Sequence, residues 1–194
     1  MDYRRHSRPR TGASFRANRR HDTRPVQIRL GPFPKIIQKR RKVKNVGPEI
    51  KIISESESET IETGERIGQF CEGGEIIRLI GPLGAGKSVL ARGIARGLGV
   101  KGQVRSPSFN LMREYKARLI LRHWDLYRLE GGFNGLGLLE SADDESVVIV
   151  EWADHWAELE KWCMGSIFMD YGENENERVI RLYGKIPGYS FKLI

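Results

Sequence analysis

Gly81-Pro82-Leu83-Gly84-Ala85-Gly86-Lys87-Ser88 matches G-x-x-x-x-G-K-[ST] at every fixed position. The residue types suit one task. Glycines allow consecutive backbone N–H groups to turn inward around phosphate oxygens. The lysine of such a loop reaches the β- and γ-phosphates of a nucleotide, and the hydroxyl after it ligates Mg2+. A turn that merely joins a strand to a helix needs neither Lys87 nor Ser88. The motif predicts a phosphate cradle made by Gly81, Gly84, Ala85, Gly86, Lys87, Ser88 and Val89, with Lys87 also acting on the reacting phosphate.

Such a loop needs an acid beside the metal. Val147-Val148-Ile149-Val150 is an apolar run that ends on Glu151, the form of a Walker B strand with Glu in place of Asp. Ser88 and Glu151 are the candidate metal ligands. Asp125 closes a second apolar run, Leu119 to Trp124. Ligands collect at the carboxyl ends of strands in such sheets, so these two strands would present both carboxylates at one edge.

The elements that must position these groups follow from periodicity. Glu75 to Ile80 reads as a buried strand and Lys87 to Leu98 as a helix closed by Gly99. That helix would point its positive dipole end at the bound anion. Ahead of them, Ile50, Ile52 and Ile53 suggest a short strand. Ser56 and Glu59 have capping-box spacing for a helix with Ile61, Ile67 and Phe70 as its buried stripe, ending near Gly73-Gly74. Further on, Phe109 to Tyr115 and Leu119 to Trp124 read as strands joined near Lys116. Leu136 to Ala142 reads as a short helix, and Asp154 to Trp162 as a helix with Trp156 and Leu159 facing in. Ser166 to Asp170 and Arg178 to Leu182 read as strands around a polar turn. Strands that alternate with helices and then give way to strand pairs predict a P-loop NTPase-like three-layer α/β sandwich with a mixed, mainly parallel central sheet.

The 194 residues carry 33 Lys+Arg against 25 Asp+Glu, a formal charge of +8. The excess is local. Residues 1–50 hold 15 basic and 3 acidic side chains, +12, whereas residues 51–194 hold 18 and 22, −4. Residues 1–48 read as a disordered basic extension, with RNA contact or a transit peptide as alternatives to a solvated tail. Residues 49–194 read as the P-loop domain. No apolar run approaches the roughly 18 residues of a spanning helix, so no membrane association is expected. Cys71 and Cys163 supply neither a disulfide scaffold nor a metal set, and suit reduced thiols in a cytoplasmic protein.

Three further segments stand in fixed order with the loop: Val104-Arg-Ser-Pro-Ser-Phe109, His123-Trp-Asp-Leu-Tyr-Arg-Leu129 and Val150-Glu-Trp-Ala153. Together the four resemble the TsaE family, the ATPase of bacterial threonylcarbamoyladenosine biosynthesis on tRNA, over about residues 50–185. The resemblance implies ATP and Mg2+ as cofactors and an ATPase that is weak alone and stimulated on the TsaB–TsaD pair. Its contact with tRNA would be indirect, through that complex, although residues 1–48 leave direct contact open. Residue by residue, it implies phosphate and metal roles for Lys87 and Ser88 and a metal role for Glu151. It places Asp125 near the γ-phosphate, to orient the attacking water. Ser108 matches a hydroxyl that senses the γ-phosphate, Trp152 lies near the nucleotide, and Thr60 matches an early threonine near the base. Pro82 stands where the family commonly has Asp, and Ser88 and Ser108 where it has Thr. Trp162-Cys163-Met164-Gly165 replaces the family's Leu-Pro step.

Two other readings stay open. A small-molecule P-loop kinase would draw its lid from Arg113, Lys116 and Arg118. An RNA-binding protein would act through the basic extension. Among single residues, Trp152 also fits a core position, His123 reads more readily as a structural histidine than as a base, and Arg105 and Arg113 read as solvated.

Overall fold

The computed structural model describes residues 49–107, 110–129 and 137–189. The basic extension assigned to residues 1–48 lies outside these, as does Ser108. Within them, β1 (Glu49–Ser54), β2 (Glu75–Ile80), β3 (Met112–Tyr115), β4 (Ile120–Asp125), β5 (Ser146–Glu151), β6 (Gly165–Tyr171) and β7 (Arg178–Gly184) form one sheet. Its order is β1-β7-β6-β2-β5-β4-β3. The central strands β6, β2, β5 and β4 run parallel, and the outer pairings are antiparallel. Two helices, α1 (Glu57–Phe70) and α2 (Lys87–Leu98), pack on one face.

Strand alternation sorts the core. Ile77 and Leu79 of β2 and Val147 and Ile149 of β5 face the helices. Their neighbours Ile76, Ile80, Val148 and Val150 face the other side, against Leu138, Trp156 and Leu159. Arg78 sits inside β2 at 3% exposure. Its guanidinium donates twice to Ser166 Oγ, at 2.9 and 2.7 Å, and lies 3.6 Å from the Glu160 carboxylate, so a charge that would otherwise be costly to bury has both an acceptor and a counter-ion.

The second face differs from the helical expectation. Asp154 to Trp162 forms two 3-10 turns, Ala153–His155 and Ala157–Lys161. Trp156 and Leu159 are buried as expected. Their spacing of three suits a 3-10 turn, in which i and i+3 share one side, and Trp156 leaves helical geometry at φ −131°. The described part of the Leu136 to Ala142 segment is likewise turns, with Ser141 and Ala142 N–H bonded to the carbonyls of Leu138 and Leu139. The strand expected from Phe109 begins at Met112, after Leu111 takes φ 60°.

Helix α1 starts as its spacing predicts. Ser56 Oγ accepts the Glu59 N–H at 3.2 Å, and Glu59 reaches back to the Glu55 N–H at 2.8 Å. It ends at Phe70, short of Gly73-Gly74, because tertiary partners take its last groups. Arg118 donates to the carbonyls of Gly68, Gln69 and Cys71 at 2.7, 3.1 and 2.7 Å. The buried Glu75 carboxylate accepts the N–H groups of Glu72 and Gly73. Arg118→Ala should therefore lower stability by about 1–3 kcal/mol, the worth of hydrogen bonds to a charged donor. The urea midpoint should fall with an unchanged slope; an unchanged midpoint would remove Arg118 as the cap of α1.

The expected stripe of α1 is also corrected. Ile67 is fully buried, but Phe70 is 59% exposed. Gly64 and Gly68 occupy the contact face instead, set against Gly93 and Gly97 of α2. A Cβ on Gly93 would lie 3.0 Å from Gly64 Cα, and one on Gly68 3.0 Å from Gly97 Cα. The two backbones approach too closely for side chains between them.

Cys71 and Cys163 are free thiols packed into the clusters on opposite faces of the sheet. Burial pushes both up to about 12, so neither is a thiolate near neutrality. Among the described residues no helix is long and apolar enough to cross a membrane.

Candidate functional site

The loop 81–86 leaves the end of β2 and enters α2 at Lys87. Gly86 is the N-cap of α2 at φ 95°, and no side chain caps the helix. Its first turn carries no acid. In α1 the corresponding place is taken by Ser56, Glu57 and Glu59. The N-terminus of α2 thus keeps backbone donors and a positive dipole end with neither a side-chain cap nor a first-turn acid to meet them.

Lys87 is 4% exposed. Its Nζ donates to the carbonyls of Gly81 and Pro82 at 2.7 and 2.8 Å and lies 3.8 Å from the centre of the Trp152 ring. Burial lowers its pKa, partly opposed by the charges of Glu151, Asp154 and Asp125. A desolvated cation bonded to neutral carbonyls is poised for an anion.

Beside it stands the acidic edge. Asp125 and Glu151 are directly paired at the carboxyl ends of parallel β4 and β5, and Leu79 of β2 is the next partner of Glu151. Both acids are buried, at 6% and 2% exposure. Ser88 Oγ, in the first turn of α2, lies 3.0 Å from each oxygen of Glu151. Asp125 accepts the Tyr127 N–H at 3.0 Å and the Ser106 hydroxyl at 3.2 Å. The Ser-Pro-Ser segment thus touches the acid through Ser106, whereas Ser108 lies outside the described residues. Trp152 takes φ 60°, and its ring lies against Lys87 Nζ and 4.6 Å from the Tyr127 ring, tilted by 40° to it.

The hydroxyl of Thr60, in the first turn of α1, is buried between Ser54 Oγ at 2.7 Å and the Ser56 carbonyl at 3.2 Å. Of the residues suggested for a kinase lid, Arg118 holds the end of α1. Lys116 lies in the β3–β4 turn, at the opposite end of β4 from Asp125. Arg113, read as solvated, has a buried Nε.

Three features escaped the sequence reading. His123 is buried, with Nε2 2.8 Å from Glu151 Oε1. The Tyr171 hydroxyl at the end of β6 donates to the Leu83 carbonyl of the loop. Arg178 packs on the Tyr171 ring at 5.4 Å. The His123 contact had a signal, since His123 and Asp125 share strand parity with the acidic edge. The Tyr171 contact spans 88 residues and had none.

Among the described residues no cluster of three or more His, Cys, Asp or Glu could hold a metal alone. One hydroxyl and one carboxylate suit a cation that keeps waters and takes phosphate oxygens, as Mg2+ does. The uncapped helix and the buried lysine, hydrogen-bonded to neutral carbonyls, suit the phosphates. The donor set thus fits both a nucleoside polyphosphate and its metal.

Strand, glycine loop and helix, with two acids at the adjoining strand ends, define a P-loop α/β protein. Comparison with known proteins is more specific. The family model for Threonylcarbamoyl adenosine biosynthesis protein TsaE matches residues 54–180, and the chain belongs to the TsaE family. It is 34% identical over 110 residues to tRNA threonylcarbamoyladenosine biosynthesis protein TsaE of Treponema pallidum, covering 56% of this chain and 82% of that protein. It is 37% identical over 144 residues to the protein of the same name from Aquifex aeolicus, covering 70% and 96%. The crystal structure of Bacillus subtilis YdiB superposes with a TM-score of 0.57 at 27% identity, covering 71% of this chain and 86% of that one.

Proposed function

We propose that this protein is a Mg2+-dependent ATPase that serves the threonylcarbamoyladenosine modification of tRNA in the cytoplasm, by acting on homologues of TsaB and TsaD. The observation that carries the nucleotide reading is the buried Lys87 beside an uncapped helix N-terminus. The names of the relatives from Treponema pallidum and Aquifex aeolicus carry the biological role. The partners rest on the family resemblance.

The chain's own groups divide the work. The loop N–H groups and the α2 dipole receive the phosphates, and Lys87 exchanges two loop carbonyls for phosphate oxygens. Ser88 and Glu151 would hold the metal, which supplies charge neutralisation across the β- and γ-phosphates. Asp125 is held through both carboxylate oxygens, and on this reading it would orient a water molecule and accept its proton. Tyr127 and Trp152 keep one flank of the lysine apolar.

Two results test this division. Asp125→Asn should keep ATP affinity within about threefold and reduce turnover by roughly 100-fold, the low end of the contribution of a general base. Wild-type turnover would remove Asp125 from the mechanism. Glu151→Gln should lose about tenfold or more in ATP affinity measured with Mg2+, yet little in EDTA. Equal losses in both buffers would count against a metal role.

A further inference from the structure

The geometry points to His123 as a positioning residue that fixes the Glu151 carboxylate for the metal. This rests on the reading of Glu151 as the acid on the metal side.

His123 and Glu151 occupy neighbouring parallel strands and are 1% and 2% exposed. A carboxylate offers only lone pairs, so the nitrogen at 2.8 Å, Nε2, is the donor and Oε1 the acceptor. Oε1 also lies 3.0 Å from the Ser88 hydroxyl. Among the described residues Oε2 has only the Ser88 contact, so spare lone-pair capacity is greatest there. One strand thus orients an acid carried on the next, and leaves one oxygen less committed than the other.

The rest of the ring argues against a purely structural histidine. Among the described residues its buried Nδ1 has no hydrogen-bond partner. An orphaned polar atom inside a protein is costly. The site lies between Leu121 and Ile149, both fully buried, where an aliphatic residue would satisfy the local pattern. A residue that breaks the local packing rule while bonding a functional carboxylate is expected at a working site. The arrangement parallels the outer partners that hold metal ligands in other sites, with the histidine as the outer member.

The test compares His123→Gln, His123→Asn and His123→Leu in the full chain. A glutamine amide reaches the position of Nε2; an asparagine amide is one carbon shorter. The readout is ADP affinity by calorimetry with Mn2+ and again in EDTA, and the ratio of the two is the metal contribution. Expected is a wild-type ratio above about tenfold, kept within twofold by the Gln variant and reduced at least fivefold in the Asn and Leu variants. A merely structural histidine would lower both affinities together and leave the ratio alone. If the Leu variant does not fold, the Gln and Asn pair decides. Equal ratios in these two overturn the inference while the role of Glu151 stands. A wild-type ratio near one overturns both.

Discussion

Lys87→Ala is expected to weaken ATP binding by at least about 100-fold while the protein stays folded. Two charge-assisted hydrogen bonds to phosphate contribute roughly 3 kcal/mol together, and each 1.4 kcal/mol is a factor of ten. Stability should behave differently. Burial holds the Lys87 pKa below its ordinary value of 10.5. The charged form is therefore disfavoured in the folded state. That cost is fully present below the folded pKa and fades as pH rises toward the unfolded one. Removing the amine at neutral pH relieves it, against the loss of the bonds to the Gly81 and Pro82 carbonyls, the contact with the Trp152 ring and the attraction of Glu151, Asp154 and Asp125. The thermal midpoint should stay within a few degrees, the shift that about 1 kcal/mol produces in a chain of this size. Calorimetry with ATP, paired with a melting curve, checks both halves. Unchanged affinity would show that the loop does not hold phosphate through Lys87.

The second large effect concerns the helix pair. Alanine is favoured over glycine inside a helix by about 1 kcal/mol, so propensity alone predicts that Gly93→Ala/Gly97→Ala stabilises the protein. Packing predicts the opposite. A Cβ on Gly97 would lie 2.8 Å from Gln69 N, and one on Gly93 3.0 Å from Gly64 Cα. The obstacles are backbone atoms, which no rotamer change can clear. Overpacking of this kind costs about 1–3 kcal/mol per site. The double variant should lose about 3 kcal/mol net, or about 6–12 °C in midpoint. ATP affinity should fall with it, because α2 carries Lys87 and Ser88 and α1 fixes its seating. A midpoint above wild type would mean that the helices have room to separate.

These two sites differ in how readable they are. The loop, β2, α2 and β5 were legible because glycine spacing, apolar runs and a strand-ending acid are local signals. That Asp125 and Glu151 share one edge followed from the rule that ligands collect at strand carboxyl ends; their direct pairing across β4 and β5 did not. The glycine contact was not legible. Gly64 and Gly68 look like weak points in a helix, and the apolar Phe70 looks like its stripe, until α2 is in place. The 3-10 turns at Ala153–Lys161 share the inward residues of the expected helix, so the pattern of burial was readable and the pitch was not. The end of α1 depends on Arg118, 47 residues beyond Cys71. From sequence His123 looks structural, because a lone histidine in an apolar strand carries no sign of its neighbour. The carboxylate that gives it a role comes from the adjoining strand.

The proposed function has this P-loop act on other proteins of the tRNA modification pathway. It is tested most directly by ATP turnover of the purified full chain, alone and with TsaB and TsaD homologues added singly and together. Slow turnover alone, a clear rise only with both proteins, and no rise with the Asp125→Asn variant is the predicted result. Turnover that ignores both proteins, at concentrations where the two form their complex, would contradict it.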